Sequence, residues 1–345
     1  MSDLAPATLP YAGPPRGRRF DARAMALTYA AAAALAAGAV LLALCVGSTR
    51  TGWPTPGEAS VRFSTHVLPA TLIGAALAAA GLVFQAVLRN PLADPYLLGT
   101  SGGAMLASYV WRLPAIAGVP WLATLSPFTF ALGGAVLATA VVLGLSAARG
   151  RVDPLRAILV GVIINSMCGA VFLLLNSLFK DLQGSGGAVS FLVGDIQSTI
   201  EPAHLRISAA VIGLGLLLLI AVMPSLNVVR LSDDEAAALG ARIHVVRWTA
   251  LGLAAAITAA AVAISGPIGF VGLICPHVAR WCVGNDNRRL LPVTLAGGAA
   301  VLLAADAGAR FASSFASVNT LLPVGVITAI VGGPFVLLIV SRLRQ

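Results

Sequence analysis

A short polar stretch lies between two long apolar runs: Asn227-Val-Val-Arg-Leu-Ser-Asp-Asp-Glu-Ala-Ala-Ala-Leu-Gly240-Ala-Arg-Ile-His-Val-Val-Arg247. Ser232 and Glu235 have the spacing of a capping box. The two aspartates after Ser232 lie in the first turn, where the helix dipole favours negative charge. Gly240 is a typical C-terminal stop. The pattern predicts a polar helix of about two turns, far below the roughly 20 residues that cross a bilayer.

The flanking apolar runs, Leu205–Met223 and Val245–Ile264, are each long enough to cross a membrane. A capped polar helix held between two spans lies at the membrane surface, where a partner can contact it. An ordinary connecting loop with one helical turn is the alternative interpretation of this stretch taken alone.

The composition indicates an integral membrane protein. Of the 345 residues 58% are hydrophobic and only 10% are charged, whereas a soluble domain carries roughly 25% charged residues. The net charge of +9 is distributed as expected for orientation in a bilayer, so we expect no nucleic-acid partner. The four cysteines form no C-x-x-C pair, and we expect no metal site.

Apolar runs predict an all-α polytopic protein, because they are too long and too rich in Ala and Leu for barrel strands. The ten predicted spans are about Met25–Gly47, Val67–Leu88, Pro95–Val110, Trp121–Leu145, Pro154–Leu178, His204–Met223, Val245–Ile264, Gly266–Val283, Leu290–Phe311 and Leu322–Val340. The third and eighth are short and rich in glycine. A half-length helix, Ala188–Gly194, is predicted between the fifth and sixth spans.

The basic residues predict the orientation of the chain. With both termini in the cytoplasm, 16 of the 22 basic residues lie inside, which agrees with the positive-inside bias. Residues 1–24 are then a cytoplasmic tail, and residues 25–345 form one transmembrane domain with a cytoplasmic surface segment at 227–247. The first apolar run is too long for a signal peptide and is expected to remain as a span.

One face of the fifth span carries polar and small residues at helical spacing: Asn165, Gly169, Phe172 and Asn176. Polar groups are costly in lipid, so this face looks toward another helix or toward a watery path. Both interpretations remain open. In the ninth span Asp306 and Arg310 are one turn apart and can pair, either for local charge neutralisation or with the guanidinium available to a partner outside.

A catalytic interpretation also exists for one motif. Gly99-Thr100-Ser101-Gly102 fits the serine motif of rhomboid-type intramembrane proteases. That chemistry needs a histidine from another span as base, and His204 and His277 are the candidates. The motif is short and built from common residues.

Two further stretches concentrate Gly and Pro within apolar runs: Ser265-Gly-Pro-Ile-Gly-Phe-Val-Gly-Leu-Ile-Cys-Pro-His-Val-Ala-Arg280 and Leu322-Pro-Val-Gly-Val-Ile-Thr-Ala-Ile-Val-Gly-Gly-Pro-Phe335. Together with Arg89-Asn-Pro-Leu-Ala-Asp-Pro-Tyr-Leu-Leu-Gly99 and the helix end Leu239-Gly240, they resemble the FecCD family. Members of that family are permease subunits of ABC importers for iron chelates, haem and cobalamin. The resemblance extends from the second span to the C-terminus.

The resemblance implies a passive pore moved by a separate motor, and the sequence agrees with this. The only lysine, Lys180, has no P-loop around it, so ATP and Mg²⁺ are expected on a partner ATPase, with no cofactor on this chain and no enzymatic activity. An ion-coupled secondary carrier is the alternative, but its main acidic candidate, Asp306, lies beside Arg310.

The resemblance also implies four groups of functional residues. Those expected to couple to the ATPase are Leu231, Ser232, Asp233, Asp234, Glu235, Leu239, Gly240 and Arg242. Those expected to line the translocation path are Asn165, Gly169, Phe172 and Asn176. Those expected at the cytoplasmic gate are Arg151, Asp153 and Pro154. Those expected to dock a binding protein are Arg62, His66 and Arg310.

The docking group departs from the family pattern. Members often carry Arg-Leu-Pro-Arg at the start of the second span, where this chain reads Phe63-Ser64-Thr65-His66, with Arg62 displaced by one position.

The resemblance implies an assembly in the bacterial inner membrane, surrounded by lipid. Its expected parts are a second copy of the chain, two cytoplasmic ATP-binding subunits and a periplasmic substrate-binding protein. The fifth span, Ala188–Gly194 and the tenth span would lie near the axis between the copies. ATP-driven closure of the motor would rock the spans and open the path alternately. Haem is the favoured cargo, followed by ferric siderophore or cobalamin.

Overall fold

The computed structural model describes residues 22–47, 51–113, 118–119, 125–148, 151–179, 193–196, 200–229, 243–314 and 322–343. Ten main helices make up most of this part of the chain, as the apolar runs predict. They are α1 (Ala22–Cys45), α2 (Pro56–Val87), α3 (Thr100–Val110), α4 (Pro127–Ser146), α5 (Pro154–Leu178), α6 (Pro202–Val229), α7 (Ile243–Ser265), α8 (Val271–Val283), α9 (Asn287–Ser313) and α10 (Val324–Leu343). Two strands, β1 (Ala147–Ala148) and β2 (Arg151–Val152), pair antiparallel between α4 and α5.

Seven of the described helices are long and apolar enough to cross a membrane: α1, α2, α4, α5, α6, α7 and α9. The helices α8 and α10 are shorter apolar helices. α3 has 11 residues, which corresponds to about 16 Å of helix and is too short to span lipid alone. The predicted third and eighth spans are therefore wrong in their starts, because α3 begins at Thr100 and α8 begins at Val271.

Both late starts have a local cause. Before α3, Pro95–Leu98 forms a 3₁₀ turn, and Gly99 with φ 80° turns the chain into a new direction. Before α8, Phe270 has φ 71°, a conformation uncommon for a residue with a bulky side chain. The Asp94 carboxylate accepts the backbone N–H of Tyr96 at 3.0 Å and also that of Phe270. The Asp94 carboxylate thus connects the turn before α3 with the residue that precedes α8.

The second helix starts earlier than predicted. It begins at Pro56, after a capping box formed by Thr55 and Glu58, rather than at Val67. A single π-turn, Phe63–Val67, interrupts it. Such turns change the register of the side chains and are frequent at functional sites. The π-turn falls on the residues where the chain departs from the FecCD pattern.

Close contacts at glycine residues bring neighbouring helices against α2. In the apolar segment of α2, 78% of the residues are buried, compared with 6% in α1. A Cβ on Gly298 of α9 would overlap the Gly74 carbonyl of α2. The same close approach joins Gly103 of α3 to Gly134 of α4. The absence of side chains at Gly103 and Gly134 thus lets α3 and α4 pack closely. α2 is the centre of the bundle, and α1 lies at its edge.

Candidate functional site

The three predicted docking residues lie in one place, together with Asp306. We call Arg62, His66, Asp306 and Arg310 the Arg310 cluster. The Arg310 guanidinium contacts Asp306 Oδ2 at 2.6 Å, and the two side chains are only 4% and 3% exposed. Arg310 also donates to the Ala43 carbonyl at 3.1 Å. A buried ion pair thus fixes the end of α1 to α9.

The cluster satisfies the last carbonyl groups of α1. Arg310 donates to the Val46 carbonyl as well, and Arg62 Nη1 donates to the Leu44 carbonyl at 2.7 Å. These carbonyls have no partner within a helix, and the helix dipole favours cations there. The Asp306–Arg310 pair thus neutralises charge locally and holds the end of α1. Docking of a binding protein by Arg62, His66 and Arg310 stays a prediction.

His66 faces the second oxygen of the same carboxylate. Its Nδ1 lies 3.4 Å from Asp306 Oδ1, with the His66 side chain 13% exposed. This buried nitrogen has no hydrogen-bond partner within the described residues. Asp195, in the segment before α6, interacts electrostatically with both His66 and Asp306. Its carboxylate accepts the backbone N–H of Val324 at the start of α10. Burial raises the pKa of Asp195 above its ordinary value.

Asn165 of α5 joins three segments. Its Nδ2 donates to the Tyr96 carbonyl at 2.7 Å, and its Oδ1 accepts the Gly102 N–H at 2.9 Å. The Tyr96 hydroxyl accepts the backbone N–H of Ile268 at 2.9 Å. The Asn165 amide is therefore used to fasten α5 to α3 and to the chain before it, which is the helix-packing alternative. Its predicted place along the translocation path stays a prediction.

Phe172 lies on the same face and is also engaged by the protein itself. It is 4% exposed, and its ring meets that of Tyr109 edge-on, with centroids 5.0 Å apart. Gly169 and Asn176 are half-buried. Part of the predicted face of α5 thus packs against α3, and path lining by Asn165, Gly169, Phe172 and Asn176 stays a prediction. Elsewhere on its surface α5 carries exposed apolar side chains, among them those of Leu159, Val162, Ile163, Leu173 and Leu174.

The serine of the protease motif has no histidine beside it. Ser101 Oγ donates to Asn165 Oδ1 at 3.3 Å. The His277 ring packs edge-on against Trp281, and the His204 ring stacks on Phe128. These contacts give the motif a structural role in joining α3 to α5.

The predicted gate residues form the start of α5. Asp153 accepts the backbone N–H of Leu155 at 2.9 Å, and Pro154 occupies the first turn, where its missing N–H costs nothing. Arg151 pairs through its backbone with Ala148. This short hairpin fixes the entry of α5, and its role as a gate stays a prediction.

The predicted coupling residues lie outside the described part of the chain. They are Leu231, Ser232, Asp233, Asp234, Glu235, Leu239, Gly240 and Arg242. The predicted half-helix Ala188–Gly194 also lies almost wholly outside it.

The chain just before the coupling residues is described, and side chains hold it there. We call Asn227, Asp286 and Asn287 the Asn227 clasp. Asn227 Nδ2 donates to Asp286 Oδ1 at 2.8 Å, and Asn227 Oδ1 accepts the Asn287 N–H at 2.9 Å. Arg89 donates to the Val229 carbonyl at 2.9 Å. Sequence analysis missed these contacts because their partners are 59 to 140 residues apart.

Histidine, cysteine and carboxylate side chains in the described part of the chain form no group of three or more that could hold a metal ion. The electrostatic features of the described residues are instead joints between helices. A bundle of long apolar helices with such joints defines a multi-pass α-helical membrane protein.

The chain belongs to the FecCD transport family, whose family model matches residues 35–342. It is 37% identical over 289 residues to the hemin transport system permease protein HmuU of Yersinia pestis, covering 81% of this chain and 82% of that protein. It is 35% identical over 280 residues to the cobalamin import system permease protein BtuC of Halobacterium salinarum, covering 81% and 71%.

A solved structure has the same fold. It shows an inward-facing conformation of an ABC transporter described as of metal-chelate type. This chain superposes on it with a TM-score of 0.77 at 27% sequence identity. The match covers 92% of this chain and 99% of the other. This chain is therefore a multi-pass ABC-importer permease of the inner membrane, a transport subunit.

Proposed function

We propose that the chain is the membrane pathway of an ATP-driven importer that carries an iron chelate into the cytoplasm, with haem as the favoured cargo. The observation that carries the proposal is the family match over residues 35–342. The identity of 37% with a hemin permease supports haem over cobalamin, for which a relative reaches 35%. Because these two values are close, cargo is the part of the proposal that most needs an experiment.

The proposed motor is a pair of separate ATP-binding subunits. They contact the cytoplasmic segment that carries Asp234, Leu239 and Gly240. The contacts of the Asn227 clasp support this, since they tie the chain entering that segment to the start of α9. Movement of the segment is then passed to α6 and α9 together.

A second copy of the chain is proposed to complete the path. The exposed apolar side chains of α5 support this arrangement, and so do those of α10, where Ile330, Val331, Leu337 and Leu338 are all more than half exposed. A soluble binding protein outside delivers the cargo and supplies most of the specificity. Arg62, His66 and Arg310 are the residues proposed to guide its docking.

Uptake into proteoliposomes tests the proposal. The permease is reconstituted with its ATPase, and the binding protein loaded with hemin is added outside. Hemin is expected to accumulate inside only with ATP, and a parallel assay with cobalamin is expected to give little uptake. Accumulation driven by a proton gradient without ATP would contradict the importer. ATP-driven uptake of cobalamin but not hemin would contradict the cargo alone.

A further inference from the structure

A proline inside α8 removes one hydrogen bond of that helix. The proline is Pro276, and the helix continues past it to Val283. In an α-helix each carbonyl group accepts the N–H of the residue four positions later, and proline has no N–H. The carbonyl group that lacks this donor is that of Gly272, a buried residue. It needs a donor from elsewhere, because a buried acceptor without a partner is costly.

The side chain of Gln85 on α2 supplies that donor. Gln85 Nε2 donates to the Gly272 carbonyl oxygen at 3.2 Å and to the Leu273 carbonyl oxygen at 3.3 Å. The Gln85 side chain is buried, and its partners are 187 and 188 positions away in the sequence. The contact is therefore a joint between α2 and α8, in which a side-chain amide replaces the backbone N–H that the proline lacks.

A second contact fixes the orientation of the Gln85 amide. Gln85 Oε1 accepts a hydrogen bond from Arg280 Nη1, and the Arg280 side chain is itself buried. A guanidinium group only donates hydrogen bonds, and a carbonyl group only accepts them. Exchanging Nε2 and Oε1 would place donor against donor and acceptor against acceptor. The amide N–H groups therefore face the carbonyl groups of Gly272 and Leu273.

Glycine residues bring the two backbones close enough for this contact. A Cβ on Gly81 of α2 would overlap the Gly272 carbonyl group, and a Cβ on Gly272 would lie 2.8 Å from the Leu77 carbonyl oxygen. Gly81 lies one turn before Gln85 on the same face of α2. A long side chain in a helix points back over the preceding turn. The Gln85 amide therefore extends over Gly81 and reaches α8.

We propose that Gln85 is a positioning residue that completes α8 at Pro276 and holds this part of the helix against α2. α8 lies between two contacts described above. It begins after Phe270, whose N–H contacts the Asp94 carboxylate, and it ends shortly before Asp286 of the Asn227 clasp. Without the Gln85 donors, α8 has a missing hydrogen bond between these contacts, and it transmits movement of the clasp less well. That last step rests on the proposed importer function, whereas the contact itself does not.

A double-mutant cycle on the full-length permease tests the contact. Pro276→Ala gives the helix an N–H at this position, so the Gly272 carbonyl group no longer depends on Gln85. The unfolding equilibrium constant is measured by SDS titration in mixed micelles. Gln85→Leu is expected to raise it about tenfold or more in the wild-type background, because a buried acceptor loses its donor. The increase is expected to be at least about fivefold smaller in the Pro276→Ala background.

Loss of the Arg280 contact is common to both backgrounds and cancels in the cycle. Pro334→Ala is the matched control, because Pro334 also lies inside a helix, α10, and Gln85→Leu should have its full effect beside it. An equal effect of Gln85→Leu in the wild-type and Pro276→Ala backgrounds would overturn the proposal. If Gln85→Leu does not fold, Gln85→Glu replaces it, since a carboxylate keeps an acceptor for Arg280 but has no N–H. Equal effects of that variant in the two backgrounds overturn the proposal as well.

Coupling in the reconstituted importer distinguishes a positioning role from a purely structural one. Gln85→Leu is expected to raise the ATP hydrolysed per imported hemin molecule about threefold or more, and added Pro276→Ala is expected to lower this ratio again. An unchanged ratio in a folded Gln85→Leu permease would overturn the positioning role. Failure of the wild type to import hemin with ATP would instead contradict the proposed function, and the stability cycle would still decide on Gln85.

Discussion

The two ends of α9 are held by different chemistry. At its last turns, Asp306 and Arg310 form an ion pair with side chains 3% and 4% exposed. At its start, Asp286 is 38% exposed and is held by the amide of Asn227. A buried ion pair is costly to break because each charge would be left without a partner or water. A partly exposed hydrogen bond of a side-chain amide can be replaced by hydrogen bonds to water at little cost in free energy. One end of α9 is therefore costly to separate from its neighbours, whereas the contacts at the other end can break at little cost.

The difference between the two ends of α9 agrees with the proposal that the ATPase moves the cytoplasmic segment first. Asn227 lies four positions before Leu231, the first residue proposed to couple to the ATPase, while the Arg310 cluster lies at the far end of α9. We expect movement to begin at the clasp, with the Arg310 cluster keeping α1, α2 and α9 together.

Arg310→Ala is expected to have the largest effect. It leaves Asp306 buried without its cation and the last carbonyl groups of α1 without donors, which costs about 3–5 kcal/mol of unfolding free energy. SDS titration of the permease in mixed micelles measures this loss. The double variant Asp306→Asn with Arg310→Gln is the control, because it removes both charges and should recover more than half of the loss. A loss of under about 1 kcal/mol for Arg310→Ala alone would show that the ion pair does not hold this end of α9.

Asn227→Ala is expected to cost less, about 1 kcal/mol, because it leaves no buried charge without a partner and the Asp286 carboxylate is 38% exposed. Its larger effect should be on coupling, with more ATP hydrolysed per cargo molecule imported by the reconstituted complex. Arg289→Ala is the matched control, since Arg289 contacts the same Asp286 at 3.6 Å with its side chain 40% exposed, and an exposed pair contributes little. Equal coupling ratios in both variants and the wild type would remove the clasp from force transmission.

In the described part of the chain, the order of the main helices could be predicted from the sequence, because long apolar runs admit few other structures in lipid. The starts of α3 and α8 could not. Pro95–Leu98 is as apolar as a helix, and only the φ of Gly99 shows that the chain turns there. Nothing in the sequence marks the positive φ of Phe270. That conformation depends on the surrounding contacts, including the hydrogen bond from the Phe270 N–H to the Asp94 carboxylate.

The candidate sites were predictable in composition but not in geometry. Helical spacing placed Asn165 and Phe172 on one face, yet spacing cannot distinguish a face that meets water from one that meets another helix. The partners of Asn165 are 63 and 69 residues away. The pairing of Asp306 with Arg310 followed from a separation of one turn, whereas the contact of His66 with Asp306 depends on the packing of α2 against α9. Asp195 gave no signal in the sequence.

The most direct test of the central claim, a permease driven through its cytoplasmic segment, is recruitment of the ATPase. The permease carrying Asp234→Ala, Leu239→Ala and Gly240→Ala is co-expressed with the ATPase, and the fraction of ATPase that purifies with it is measured in parallel with hydrolysis. The account predicts that this fraction falls at least tenfold while the permease itself still folds and inserts. Normal recruitment of the ATPase, with hydrolysis stimulated as in the wild type, would contradict it.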